Sequence, residues 1–210
     1  MPWDALITAL RTAPKEQKVR ETIKAMASEN VRHQLEKPIK WFWKYFPIRI
    51  KNVGEKEKAE RQKVYDFKDG KENDEAAQLT ADYLIEEYGD ECRNIVFSPI
   101  PASTSEKNDI RFKDFSEKVC NMTGAINGFS HIKVDADRKC LHKNRKKEDA
   151  IRESENYTID TEWFKGKKVV CWDDVITKGL SYANFAEHLE RIGAIVIAGV
   201  FLARTHYRVS

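Results

Sequence analysis

Two hydrophobic spacings alternate along most of the chain, one typical of strands and the other typical of helices. Short apolar runs predict three buried strands: Asn94–Ser98, Lys168–Trp172 and Ala194–Leu202. Apolar residues at helical spacing predict three helices: Glu75–Tyr88, Phe112–Ile126 and Ser181–Ile192. Strands that alternate with helices indicate an α/β fold with a mostly parallel sheet flanked by helices on both faces. Because ligands of such sheets bind beyond the carboxyl ends of the strands, the first two strands should end at the functional site.

The first sixty residues break this alternation. Apolar residues of segment 2–28 have helical spacing, and they are followed by the aromatic run Trp41–Phe46 and by a charged stretch, 51–63. We therefore expect a mainly helical N-terminal appendage over residues 1–60 and an α/β domain over residues 61–210.

Composition excludes several classes of protein. Of the 210 residues, 41% are hydrophobic and 34% are charged, as in a globular protein with a charged surface. The formal net charge of +3 is too small to indicate nucleic-acid binding by itself. No segment approaches the roughly 20 consecutive apolar residues of a membrane span, and the N-terminus has no signal-peptide core. We therefore expect a cytoplasmic protein with no membrane partner.

Cysteine and histidine positions predict neither a disulfide framework nor a metal centre held by the protein. The cysteines form no CxxC pair and the histidines show no metal-ligand spacing. The residues concerned are Cys92, Cys120, Cys140, Cys171, His33, His131, His142, His188 and His206. Reduced thiols are the expected state of the cysteines.

The strand Lys168–Trp172 leads directly into two acids, Asp173 and Asp174, and then into a polar loop before a helix. Two carboxylates at a strand end can accept hydrogen bonds from the two hydroxyls of a ribose. Gly179 permits close backbone approach, and loop amides before a helix N-terminus form an anion site that suits a phosphate. The order of residues therefore suits a ribose 5-phosphate. The alternative is an acidic pair that only caps a helix or lies on a solvated turn.

Segment 169–181 resembles the phosphoribosyl pyrophosphate (PRPP) fingerprint of type I phosphoribosyltransferases: four apolar residues, two acids and a Thr/Gly/Ser loop. The resemblance implies a type I phosphoribosyltransferase-like domain over about residues 61–207, with Asp173 and Asp174 as catalytic residues. It implies 5-phosphate binding by the loop that follows, namely Val175, Ile176, Thr177, Lys178, Gly179, Leu180 and Ser181. It also implies Mg²⁺ as a cofactor that arrives with PRPP.

Two positions of this loop depart from relatives of that family. Lys178 stands where a second threonine is common. Thr177 stands where relatives that act on hypoxanthine or guanine usually carry an acidic catalytic base. The resemblance therefore makes a 6-oxopurine acceptor less expected.

The resemblance also implies a pyrophosphate loop after an earlier strand, and the residues after Asn94–Ser98 fit that place. Small residues such as Ala102 permit close backbone approach to the anion, and Ser103 and Thr104 offer hydroxyl donors. Arg111 can hold an anion through two parallel hydrogen bonds, or it is a surface arginine that opens a helix. The Pro-x-Pro strand end followed by Arg111-Phe112 is similar to the ComF-like branch of the family, although the glycine and asparagine of that branch are missing here.

The segment 138–147 carries six positive charges and no acid. In the family, a mobile loop in this place closes over the substrate, and its cations balance the leaving pyrophosphate. The alternatives are a solvated surface and non-specific binding of nucleic-acid phosphate. The cations are Arg138, Lys139, Lys143, Arg145, Lys146 and Lys147.

The aromatic run Trp41–Phe46 has three interpretations. It forms part of a hood over the acceptor base, or it stacks on nucleic-acid bases, or it packs the appendage onto the core or onto a second subunit. Packing is favoured because buried aromatic residues are usually structural. A homodimer is thus one of the open alternatives.

Together, these features predict a Mg²⁺-dependent enzyme that transfers ribose 5-phosphate from PRPP to a nitrogenous small-molecule acceptor and releases pyrophosphate. One rival is a regulator that senses PRPP without catalysis. The other is a ComF-like module that associates with nucleic acid through the basic segment and the aromatic run.

Overall fold

The computed structural model describes residues 29–134 and 156–208. Seven strands are formed in these ranges: β1 (Ile39–Tyr45), β2 (Ile95–Pro99), β3 (Ile126–Asn127), β4 (Ile132–Val134), β5 (Tyr157–Ile159), β6 (Lys168–Ile176) and β7 (Ile195–Thr205). Five of them form one sheet in the spatial order β1-β7-β6-β2-β3, and all neighbours in it are parallel. The remaining two, β4 and β5, form a separate antiparallel pair.

Helices cover both faces of the sheet. They are α1 (Glu55–Lys68), α2 (Asp74–Tyr88), α3 (Ser105–Asn108), α4 (Asp114–Thr123), α5 (Thr161–Phe164) and α6 (Leu180–Arg191). A π-helical turn, Asp109–Lys113, joins α3 to α4, and residues 29–35 are also helical. One core lies under α1, α2 and α4, and the other lies under α5, α6 and the β4–β5 pair. The predicted α/β fold with a parallel sheet between helices is confirmed.

Strand β6 is the middle strand of the five-stranded sheet, and both of its faces are buried. Val170 and Trp172 belong to the core under α1 and α4, whereas Val169 and Cys171 belong to the core under α6. Side chains of a strand alternate between faces, so a strand with two covered faces needs an uninterrupted apolar run. The run Val169–Trp172 meets that requirement.

An aromatic cluster surrounds Trp172 at the end of this run. The Trp172 ring centroid lies 5.1 Å from that of Phe67 in α1 and 4.3 Å from that of Phe115 in α4. Its Nε1 donates a hydrogen bond of 3.1 Å to Thr80 Oγ1 in α2. Three helices are therefore fixed against the residue that precedes the two acids.

Several elements differ from the sequence expectation. Strand β6 extends to Ile176, because its second half continues to pair with β7. The helix predicted to reach Ile126 ends at Thr123, since Gly124 adopts a left-handed conformation with φ of 75°. Ile126 then starts strand β3.

The aromatic run Trp41–Phe46 lies in and just after β1, at one edge of the sheet. The ring of Phe46 is buried, and the other rings of the run are partly buried. Residues assigned to the appendage join the sheet, because β1 pairs with β7, and Phe42, Trp43 and Tyr45 pack against the core under α1. Helix α1 runs across position 60. Segment 2–28, predicted to be helical, lies outside the described residues.

Among the described helices, none is long and apolar enough to cross a membrane. Cys92, Cys120 and Cys171 are buried free thiols.

Candidate functional site

The strand order of the sheet reverses between β2 and β6. These two strands are neighbours, but the chain continues from β2 outward to β3 and from β6 outward to β7 on the other side. Connections that leave in opposite directions open a crevice at the carboxyl ends of the two strands, and open α/β sheets bind ligands in such a crevice. The loop after Pro99 and the residues after Trp172 both begin here, because Pro99 and Trp172 are register partners.

Asp173 and Asp174 continue β6 just beyond the end of β2. Asp173 is half-buried, whereas Asp174 is only 5% exposed. The backbone N–H of Asp174 donates a hydrogen bond of 2.8 Å to Asp173 Oδ1. The two carboxylates therefore have different surroundings, although they are adjacent in sequence.

Asp174 is paired with two cations. Its Oδ1 lies 3.3 Å from Lys68 Nζ at the end of α1, and its Oδ2 accepts a hydrogen bond of 3.3 Å from Arg111 Nη1. Arg111 Nε donates a second bond, of 3.0 Å, to the backbone oxygen of Lys68. We call these three residues the Asp174 cluster. It contains Arg111 as a predicted site residue, and it contains Lys68, which sequence analysis missed.

The π-helical turn places Arg111 in this cluster. One extra residue in a helical turn shifts the directions of the side chains that follow, and such turns are frequent at functional sites. Here Phe112 enters the aromatic cluster around Trp172 while its neighbour Arg111 reaches Asp174.

Asp173 has no cation within ion-pair distance among the described residues. Burial, and next the negative charge of Asp174, raise the pKa of the Asp173 carboxyl well above its usual range. The hydrogen bond from the Asp174 N–H and the charges of Lys68 and Arg111 oppose this rise. Because Asp173 is only half-buried, water also moderates it. Its Oδ1 accepts the Asp174 N–H and its Oδ2 has no partner among the described residues, so Asp173 keeps free acceptor capacity.

The predicted phosphate loop connects β6 to α6. Gly179 adopts a left-handed conformation with φ of 75° and immediately precedes the first residue of α6. Thr177 Oγ1 lies 2.7 Å from Thr205 Oγ1 at the end of β7, which ties the loop to the next strand. Val175 and Ile176 are the last residues of β6, and the exposed positions are Thr177, Lys178, Leu180 and Ser181.

Leu35 packs against this loop from the helical segment 29–35. A Cβ atom at Gly179 would lie 3.2 Å from Leu35 Cδ2, which is tight contact. The segment is held on α6 by Gln34 Nε2, which donates a hydrogen bond of 2.7 Å to Glu190 Oε2, and by an ion pair between Lys37 and Glu190. Sequence analysis did not place this segment at the loop.

The predicted pyrophosphate loop is fixed by two asparagines. Asn108 Oδ1 accepts a hydrogen bond of 3.0 Å from the Ala102 N–H, and Asn156 Nδ2 donates to the backbone oxygens of Ala102 and Ser103. Thr104 Oγ1 accepts from the backbone N–H of Lys107. Within the described residues, the N–H groups of Ser103 and Thr104 donate no hydrogen bond, so they are available to a ligand.

No cluster of three or more His, Cys, Asp or Glu side chains that could hold a metal ion occurs in the described ranges. Of the two adjacent acids in β6, Asp174 is paired to cations, whereas Asp173 has no cation within ion-pair distance among the described residues. One partly exposed carboxylate suits a Mg²⁺ ion that takes most of its ligands from substrate oxygens and water.

The basic segment 138–147 lies outside the described residues, so its role as a loop over the substrate stays a prediction.

No protein-family model matches the chain, and no curated protein matches it.

Proposed function

We propose that the protein binds PRPP in the crevice at the carboxyl ends of β2 and β6 and transfers its ribose 5-phosphate to a nitrogenous acceptor. One observation carries the proposal. At the point where strand order reverses, a central parallel strand carries Asp173 and Asp174 just beyond the end of β2 and then turns through a left-handed Gly179 into α6. A type I phosphoribosyltransferase-like fold is part of this proposal.

The two ends of ribose 5-phosphate require different groups, and the second half of β6 together with the loop after it offers both. Beyond the bond from the Asp174 N–H, the Asp173 carboxyl oxygens have no partner among the described residues, so they can accept hydrogen bonds from ribose hydroxyls. The loop amides and the Ser181 hydroxyl can hold the phosphate at the start of α6, where the helix macrodipole favours negative charge. This helix spans 12 residues, long enough for its dipole to contribute.

In the proposed reaction, an acceptor nitrogen forms a bond to C1 of the ribose while the bond from C1 to the pyrophosphate oxygen breaks. The pyrophosphate leaves with the electron pair of that bond, and positive charge develops on the ribose ring. A carboxylate fixed beside the ring stabilises this charge without reorganisation. Mg²⁺, when bound, neutralises charge on the pyrophosphate oxygens.

The proposed acceptor class rests on the resemblance to phosphoribosyltransferases, in which relatives that act on 6-oxopurines usually carry an acidic catalytic base at the position of Thr177. Thr177 pairs with Thr205 and has no acid–base character at neutral pH, so this position does not supply a general base. We therefore propose an acceptor that is already anionic or strongly nucleophilic. Hypoxanthine and guanine are expected to react slowly or not at all.

The binding step is tested by thermal unfolding with and without PRPP and Mg²⁺. A ligand that binds only the native state raises the melting temperature by mass action. The increase should largely disappear in the double variant Asp173→Asn/Asp174→Asn, measured against that variant's own baseline. The matched control is Asp82→Asn/Asp90→Asn, which changes two exposed acids, one in α2 and one in the turn before the amino end of β2. An equal increase in both double variants would contradict the site.

The chemical step is tested by pyrophosphate release from PRPP in the presence of candidate bases, with Asp173→Asn/Asp174→Asn as the blank. Release with an anionic heterocycle and little release with hypoxanthine is the expected result. Robust release with hypoxanthine would contradict the argument from Thr177. Clear PRPP binding without release for any base would instead favour a PRPP sensor.

A further inference from the structure

The three charged groups of the Asp174 cluster lie at different depths. The side chain of Asp174 is 7% exposed, that of Arg111 is 21% exposed and that of Lys68 is 30% exposed. The carboxylate is therefore the least accessible member of the cluster, and the ammonium and guanidinium groups are more accessible to a ligand from solvent.

Both cations keep hydrogen-bond donors that the described structure does not use. The Arg111 guanidinium has five N–H donors, of which one goes to the Lys68 backbone oxygen and one to Asp174. The Lys68 ammonium has three donors, and Asp174 is its ion-pair partner. The cluster carries one net positive charge, because two cations face one carboxylate. These features match an anion with several oxygens.

Asp174 has a different task from Asp173 in this arrangement. Without a carboxylate between them, Lys68 and Arg111 would repel each other and turn toward solvent. Asp174 holds both in place before any ligand arrives, and a fixed pair of cations binds an anion with less loss of side-chain freedom. The strand end thus combines one acid with free acceptor capacity and one acid that is committed to cations.

We propose that Lys68 and Arg111 bind the pyrophosphate group of PRPP, that Asp174 is the positioning residue which holds them, and that Asp173 alone contacts the ribose hydroxyls. This inference rests on the proposed function and divides the roles of the two adjacent acids. It also assigns Lys68, at the end of α1, to the ligand site.

Two partial ligands separate these roles: inorganic pyrophosphate with Mg²⁺, and ribose 5-phosphate. Their affinities, and that of PRPP, are measured by titration calorimetry for the wild-type chain and for Lys68→Met, Asp174→Asn and Asp173→Asn. Lys68→Met removes a charge-assisted hydrogen bond to pyrophosphate and should weaken its binding about tenfold or more. Asp174→Asn releases Lys68 and Arg111 from their fixed positions and should also weaken pyrophosphate binding. Ribose 5-phosphate should bind these two variants as it binds wild type. Asp173→Asn should show the opposite pattern.

Matched controls separate these effects from general loss of charge or of folding. Lys71→Met removes an exposed lysine in the turn that follows α1 and should leave all three affinities unchanged. Lys68→Arg keeps the charge and should keep most of the pyrophosphate affinity. Far-ultraviolet circular dichroism establishes that each variant is folded at the titration temperature.

The outcomes distinguish this inference from the proposed function. Wild-type protein that binds none of the three ligands would reject the proposed function itself. Wild-type protein that binds PRPP, together with Lys68→Met that binds pyrophosphate as tightly as wild type, would overturn the role of Lys68. An equal loss of both partial ligands in Asp174→Asn would overturn the division between the acids, as would PRPP binding with no affinity for pyrophosphate.

Discussion

Strand β6 has two halves with contrasting surroundings. As far as Trp172 the strand lies between β2 and β7, and the side chains from Val169 to Trp172 are fully buried. Beyond Trp172 it pairs with β7 alone, because β2 ends at Pro99. The second half carries two acids, one of them paired with cations and the other only half-buried.

The contrast shows how stability and a ligand site share one strand. Burial of apolar side chains in the first half stabilises the fold. The second half places charged groups where water is partly excluded, which is costly unless each group has a partner. Asp174 has its partners within the protein, whereas Asp173 has free capacity that a ligand can use. Variants of β6 and of its loop should therefore change the free energy of unfolding by different amounts and, in one case, in the opposite direction.

The largest effect is expected for Trp172→Ala. This side chain is fully buried, packs on Phe67 and Phe115, and donates a hydrogen bond to Thr80. Its removal leaves a cavity between three helices and should lower the free energy of unfolding by about 3–5 kcal/mol. Urea denaturation measures this change. The comparison variant Trp163→Ala removes a half-buried ring stacked on His131 and should lower the free energy of unfolding much less. Similar losses in the two variants would show that the buried half of β6 does not contribute more to stability than a half-buried surface position.

A smaller loss is expected for Asp174→Asn. The amide keeps the shape of the side chain but removes the charge that holds Lys68 and Arg111 together. Breaking a fully buried ion pair lowers the free energy of unfolding by more than breaking a partly exposed one, because it leaves a charge without water or a partner. Lys68 and Arg111 retain access to water, so here the free energy of unfolding should fall by about 1–2 kcal/mol. Urea denaturation of this variant, of Lys68→Met and of their combination gives the coupling between the two sites. Strictly additive losses would show that the pair does not stabilise the protein.

Gly179→Ala should cost about 1–2 kcal/mol, from the left-handed backbone and from the new contact with Leu35. Gly166 is a matched control, because it has the same φ of 75° and a Cβ added there would have no neighbouring atom within 4 Å. The difference in unfolding free energy between Gly179→Ala and Gly166→Ala therefore measures the contact alone. Leu35→Ala should remove that difference. A difference that persists would show that Leu35 does not press on the loop.

Sequence patterns predicted the parts of the fold that are local and regular. Helices α2 and α6 and strands β2, β6 and β7 have clear apolar patterns and lie within a few residues of the predicted bounds, except at the carboxyl ends of β6 and β7. Helix α1 was missed because only Val64 and Phe67 of it are buried, which leaves a charged sequence without a visible apolar face. Strand β1 was missed because its aromatic residues are consecutive rather than alternating, and an edge strand tolerates this.

The residues of the candidate site also form two groups: those that a local sequence motif selects and those that long-range packing brings to the site. Asp173, Asp174 and the loop to Ser181 are contiguous, so one motif was sufficient to select them. Lys68 carries no local signal, since its position near Asp174 depends on how α1 packs on the sheet. Leu35 likewise reaches Gly179 only through the packing of segment 29–35 against α6. Long-range packing of this kind cannot be derived from the spacing of residues in one sequence.

The smallest effect, and one of opposite sign, is expected for Asp173→Asn. The folded-state pKa of Asp173 is raised by burial and by Asp174, so the folded chain binds this proton more tightly than the unfolded chain does. Stability attributable to Asp173 is therefore greatest at acidic pH and is lost as pH rises from the unfolded value, about 3.9, through the folded pKa. Asparagine does not titrate, and its Oδ1 can still accept the Asp174 N–H. At neutral pH the variant should thus be more stable than wild type, with the difference shrinking toward pH 4. Urea denaturation at several pH values measures this, with Asp69→Asn at an exposed, lysine-paired acid as the control. A variant less stable than wild type at neutral pH would show that Asp173 is stabilised by the fold, and the contrast between the two acids would then be lost.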